Sequence, residues 1–368
     1  MIRVALVLLF SLLTACAGPD RPKPSELGPN TALLGVRAVW TNTVGPVGFP
    51  LEVRVVGEQF FAAASSGTVV SIDSSTGLDV WRAQLDTTLA GGVGSDGKYV
   101  AVVSRNNEVI VLSSGKELWR QKLNAVTLTA PLVAGARVFT VSGDRTISAF
   151  DAASGRKLWQ QQRTGDPLVL SQAGVLFASG DTLVAGVGGR LLGLNPLSGS
   201  VRWDAPVANS RGTNEVERLV DLVAGVSRAG ESACLRAFQS AVACVNTVKG
   251  NVLWSKSANG STGLGGDEST LFGTESDSKL VAWRRIDGER LWVSERLRFR
   301  GLTAPLLAGR SVVVGDESGF VHFLSREDAS ALNRMATDGS AVAATPVLVG
   351  QTLIAVTRRG GIFGFRPE

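Results

Sequence analysis

Histidine, tyrosine, methionine and cysteine are scarce: 368 residues hold one His, one Tyr, two Met and three Cys. A metal site built on several histidines therefore has no donors. A Ser-His-Asp triad or a Cys-His pair could rest only on His322. That residue lies in the apolar run Phe320-Val321-His322-Phe323, which reads as a strand with a structural, hydrogen-bonded histidine. No phosphate-binding P-loop is present, and no Gly-x-Gly-x-x-Gly precedes a helical pattern. Gly263-Leu264-Gly265-Gly266 is a loop signal only. Acidic residues are scattered, with no spacing that marks an acid–base pair. The net charge of +5 is spread along the chain without a basic block, which argues against nucleic acid as a partner. No catalytic residue, metal or cofactor is expected. Long hydrophobic runs are also missing. The one near the start, Val4 to Leu13, has ten residues including a Ser, half of what a membrane-spanning helix needs.

That short run follows Arg3 and has the form of a cleaved secretory signal. It ends in Leu13-Thr14-Ala15-Cys16, which resembles the lipobox of bacterial lipoproteins: an aliphatic residue, two small residues and the cysteine that receives the lipid. Residues 1–15 are thus expected to be a signal peptide and Cys16 the lipidated first residue. In the lipoprotein sorting rule, an Asp after the cysteine retains the protein at the inner membrane. Ala17 therefore implies the outer membrane, periplasmic face. Residues 17–30 hold Pro19, Pro22, Pro24 and Pro29 and no apolar periodicity. They read as an extended tether unable to form a core.

The body of the chain repeats. Gly-x-x-x-Trp occurs at Gly77/Trp81, Gly115/Trp119, Gly155/Trp159, Gly199/Trp203, Gly250/Trp254 and Gly288/Trp292, with Trp-to-Trp steps of 38, 40, 44, 51 and 38 residues. Trp40 lies 41 residues before the first, and a degenerate copy falls at Leu332-Asn333. Trp283 alone among the tryptophans stands off the repeat. Upstream of each Gly runs an alternating apolar strand, and before that a tight-turn signal such as Ser66-Gly67, Asn106-Asn107 or Gln239-Ser240. A further short strand, often opened by proline, precedes these. Four strands every ~40 residues make a propeller blade. One blade cannot bury both of its faces, so neighbours stack into a ring with tryptophan between them. The Val36–Trp40 strand lacks a hairpin before it, and Gly361–Phe365 lacks a Gly-Trp segment after it. The expected fold is all-β: an eight-bladed β-propeller over 31–368 with four-stranded antiparallel blades. The N-terminal strand should be outermost in the last blade and close the ring.

Cys234 and Cys244 flank a hairpin. A three-residue loop, Phe238 to Ser240, would set them face to face. A two-residue loop would leave them one place out of register and unable to bond. The periplasm permits a disulfide; two buried thiols are the alternative.

Two stretches carry a resemblance. Arg300-Gly301-Leu302-Thr303-Ala304-Pro305 and Val313-Val314-Gly315-Asp316-Glu317-Ser318-Gly319-Phe320-Val321-His322 are similar to the LTSPV…VVGDSEGYLHW segment of the outer-membrane protein assembly factor family BamB. Asn214-Glu215-Val216-Glu217-Arg218-Leu219-Val220-Asp221 is similar to that family's TEIDRLSD. The resemblance implies a non-catalytic, monomeric scaffold lipoprotein of the β-barrel assembly machinery. Its loops would bind a POTRA domain of the barrel subunit BamA, supporting folding and insertion of outer-membrane proteins. The family's first contact region is matched by Pro167-Leu168-Val169-Leu170, but Ser171 stands where the family has Arg. The second is matched at Asp221, while Val223 takes the place of its other acidic residue. The site residues implied are Leu168, Leu170, Glu217, Arg218 and Asp221. Independently of the resemblance, the longest repeat step contains the charged stretch Asn209 to Asp221, and an enlarged loop on a rigid scaffold is where a propeller carries binding. A merely solvated loop is the plainer reading. Two other functions fit the fold: a propeller lipoprotein that binds a different envelope partner, and a quinone-dependent dehydrogenase. Such dehydrogenases usually carry adjacent cysteines and a Ca²⁺-binding acidic group, neither of which stands out here.

Overall fold

The computed structural model describes residues 22–164, 170–208 and 220–368. It contains 32 strands in eight sheets of four. No helix occurs among the described residues. Blades 1 to 7 span residues 54–84, 89–122, 132–162, 176–206, 222–257, 264–294 and 306–336, each an antiparallel meander running outward from the ring axis. Blade 8 takes three strands from 347–367 and its outermost from Val36–Thr43, which pairs with Gly361–Pro367. The ring is closed by the two ends of the chain, as the sequence requires.

The repeat acts between blades rather than within them. A Cβ at Gly77 would meet the Trp40 ring at 2.4 Å, and one at Gly155 would meet the Trp119 ring at 2.6 Å. Gly115, Gly199, Gly250 and Gly288 likewise lie under Trp81, Trp159, Trp203 and Trp254. Each tryptophan thus caps the glycine turn of the following blade. The turn needs a positive φ, 72° at Gly77, and has no space for a side chain. At Gly77, Gly155, Gly199 and Gly250 an Asx residue four places earlier shapes it. Asp73 accepts from the backbone N–H and hydroxyl of both Ser75 and Thr76. The indole N–H completes the joint by donating to a carbonyl three residues before the glycine: Trp40 to Ser74, Trp119 to Ala152, Trp159 to Pro196 and Trp254 to Arg285.

Blade 7 departs from the pattern twice. Trp292 donates to the Arg326 carbonyl in the same way, but the turn residue beneath it is Ala329, buried at a φ of 59°. Asn333 then occupies the register position of the tryptophan, opposite Phe323. Its partner is the chain's own beginning. Asn333 Nδ2 donates to the Leu34 carbonyl at 2.6 Å, and Asn30 Nδ2 donates to Asn333 Oδ1 at 2.9 Å. Thr31 donates to the Ala331 carbonyl, and the Leu34 N–H to that of Leu332. Residues 25–34, of which 25–30 were expected to be tether, therefore form a strap along the outer edge of blade 7. Leu27 and Leu34 pack against apolar clusters of blades 6 to 8.

The blade 5 hairpin is paired at Cys234↔Cys244 and closes at Ala237↔Ala241. Its loop is thus the three residues 238–240, and the two sulfurs are bonded. Both cysteines are fully buried, with the Arg285 guanidinium 3.2 Å from Cys234 Sγ.

Candidate functional site

In a meander propeller, the loops joining one blade to the next emerge on the same face as the turns between second and third strands. Backbone bonds tie the two sets together here: Phe238 N–H to the Asp221 carbonyl, Gly143 to Val126, Glu317 to Arg300. Of the candidate residues, Leu170 and Asp221 belong to this loop face, on the loops leading into blades 4 and 5. The Leu170 N–H donates to Asp221 Oδ2 at 2.7 Å. Those residues stand 51 positions apart, so the fold brings the two sequence regions into one cluster. Ala224 N–H to the Ala173 carbonyl and a bridge between Gly174 and Val223 continue the contact inward. Leu170 and Asp221 are half-buried and Ser171 is exposed. Leu168, Glu217 and Arg218 lie outside the described residues, as does Cys16. Val223 is buried and pairs with Arg236. That position faces the core, so a carboxylate there would not be presented to a partner.

Beneath the cluster is a residue that sequence reading missed. Arg236 is fully buried, 3.3 Å from Glu275 of blade 6 and 6.0 Å from the Trp283 ring centroid. Burial works against its charge, and Glu275 opposes that effect. Removing either partner would strand a buried charge, so the pair holds blade 5 to blade 6 directly under the loops. A lone Arg in the strand Cys234-Leu235-Arg236-Ala237 was the available signal, together with Gly260, where a Cβ would strike the guanidinium at 2.2 Å.

The stretch around Asp316 forms a second buried node. Asp316 accepts from Arg300 Nε at 2.7 Å, His322 Nε2 at 2.9 Å and the N–H groups of Ser318 and Phe320. Burial alone would raise its carboxyl. The bonds from His322, Phe320 and Arg300 outweigh burial and hold it below the usual carboxylate range. Arg300 also donates to the Ser25 carbonyl at 3.0 Å, so this node fastens the start of the strap. His322 is structural, as its strand context indicates. Among the described residues, no cluster of His, Cys, Asp or Glu could hold a metal ion.

Comparison with known proteins gives the family. The family model described as outer membrane protein assembly factor BamB matches residues 65–294. The chain is 37% identical over 370 residues to the outer membrane protein assembly factor BamB of Burkholderia pseudomallei, covering 99% of this chain and 96% of that one. This chain belongs to the BamB family of outer membrane protein assembly factors. The crystal structure of BamB from Moraxella catarrhalis superimposes with a TM-score of 0.81 at 23% identity, covering 90% of this chain and 99% of that one. The quinohemoprotein alcohol dehydrogenase of Comamonas testosteroni aligns with a TM-score of 0.69 at 14% identity, covering 91% and 77% respectively. At that identity the likeness shows the propeller fold alone.

Proposed function

We propose that the chain is a non-catalytic scaffold lipoprotein, anchored to the outer membrane through Cys16, which presents its loop face to the periplasmic POTRA domains of BamA. The observation that carries this reading is the Leu170–Asp221 bond. It unites the two stretches that the family resemblance singles out, on one face of a rigid ring. The anchor agrees with it. Ser25 is bonded to the carbonyls of Arg296 and Arg298, in the loop between blades 6 and 7, so the strap leaves from the same face. Ser25 stands nine positions after Cys16, a reach of at most about 30 Å. Anchor and partner loops on one face would raise the effective concentration of the scaffold at the membrane. Departures at Ser171 and Val223 make the contact surface a variant of the family's.

The test is binding of residues 25–368, strap retained, to purified POTRA domains of the same organism's BamA, with Asp221→Arg alongside. Saturable binding weakened by the substitution supports the reading. Binding that the substitution leaves intact removes the 170–221 cluster from the site. No binding at tens of micromolar favours a different envelope partner.

A further inference from the structure

The innermost strands of the eight blades line a channel along the ring axis. On the blade 4 to blade 8 side it widens into a cavity of about 640 Å³, walled by Phe177, Ser179, Arg228, Thr247, Leu306 and Pro346 among others. This volume falls within the range of small-molecule sites. Its charge pattern is unusual. Of the eight innermost strands, Arg54–Val56 and Leu222–Ala229 alone carry charged residues, and both are arginines, Arg54 and Arg228. The other walls are glycine, small hydroxyl and apolar side chains. The Arg228 guanidinium is held in place by a bond from Nη1 to the Ala178 carbonyl at 3.0 Å and stacks 5.4 Å above the Phe177 ring centroid. Among the described residues it makes no ion pair, and it is exposed in the cavity wall. Glu52, two residues before Arg54, feels the charges of both Arg54 and Arg228.

We infer that this cavity is a binding site for a small organic anion. Its carboxylate or phosphate head would pair with Arg228, and its apolar body would lie against Phe177, Leu306 and Pro346. A guanidinium pre-positioned by an aromatic face and a backbone carbonyl is suited to two parallel bonds to such a head group. No acidic side chain of the innermost strands repels it. Glu52 competes for both guanidiniums, and this gives the site a signature that damage to the fold cannot imitate.

The probe is 2-naphthoate, titrated by fluorescence into the whole propeller, with its neutral alcohol analogue as control. Saturable binding of the carboxylate and not the alcohol is expected. It should weaken about tenfold or more in Arg228→Gln and tighten in Glu52→Gln, with melting temperatures unchanged. Competition by acetate and by inorganic phosphate then shows which head group the site prefers. Equal binding by wild type and Arg228→Gln, equal binding of acid and alcohol, or no saturation at about a millimolar would overturn the inference.

Discussion

Seven of the eight joints in this ring are made alike and one is not. From blade 8 round to blade 7, an indole covers the turn of the next blade and, at five of those joints, donates its N–H to a carbonyl there. Between blades 7 and 8 there is no such turn to cover, because the outermost strand of blade 8 comes from the other end of the chain. Asn333 replaces the tryptophan, and the strap from Ser25 to Leu34 fills the place. In the first kind an indole covers a turn, and at Gly199 and Gly250 the residue that shapes this turn is Asn195 or Asn246, which does not titrate. The second is polar and hangs from a buried Arg300–Asp316 pair. One ring thus combines joints whose turn residue does not titrate, between blades 3 and 4 and blades 4 and 5, with a closure sensitive to acid and coupled to the strap.

The sharpest way to break the comparison is Trp119→Ala. Loss of a half-buried aromatic at a repeat joint should cost about 3 kcal/mol, the low end for a large aromatic. Asn333→Ala, at the same register position, should cost about 1 kcal/mol, the net value of a hydrogen bond. Equal costs by denaturant unfolding would mean the joints do not differ in kind. Removing the residues before Gly35 comes next, at about 2–3 kcal/mol from the apolar contacts of Leu27 and Leu34 and the strap's hydrogen bonds. In that truncated chain Asn333→Ala should add little, because its partners in the strap are gone and only the local bond from the Arg334 N–H is left. An additive effect would show that Asn333 acts elsewhere.

Acid should separate the joints without any truncation. The Asp316 carboxyl is depressed in the folded state. Its stabilisation is complete above the ordinary carboxylate value near 4 and is lost as pH falls through the folded value. Hydrogen exchange should therefore show the strap's backbone bonds loosening below pH 4 while the blade 3–4 joint, whose turn is shaped by Asn195, holds. Asp316→Asn should loosen the strap at neutral pH and abolish the change with pH. Parallel loss at both joints would contradict this. The smallest effect concerns Ala329, the one repeat turn without glycine. Ala329→Gly relieves a left-handed alanine and should stabilise by about 0.5–1 kcal/mol. Gly155→Ala should destabilise, since its Cβ would meet Trp119 at 2.6 Å.

The repeat was legible because glycine and tryptophan answer to fixed local needs, a positive φ and a large contact, at a constant spacing. Ring closure was legible because each end of the chain lacked what the other supplied. The strap was not. Its partners lie some 300 residues away, and a proline-rich extended segment has no period to reveal the face it buries. Asn333 looked like decay of a motif, whereas it is the fitting that receives the strap. The cysteine pair hung on a single residue of loop length, and hairpin register is decided by turn geometry that composition leaves open. Of the candidate site, Asp221 and Leu170 were found through family resemblance and not through chemistry. Arg228 and Glu52 were invisible until the ring faced them inward.

The central claim is that the face carrying the 170–221 loops meets the assembly machinery. A photo-crosslinking residue at Leu170, on that face, should be compared in intact cells with one at Val248, which is 65% exposed on a turn of the opposite face. The account predicts a crosslink to BamA from position 170 and none from 248. Crosslinks to BamA from 248 and none from 170 would contradict it.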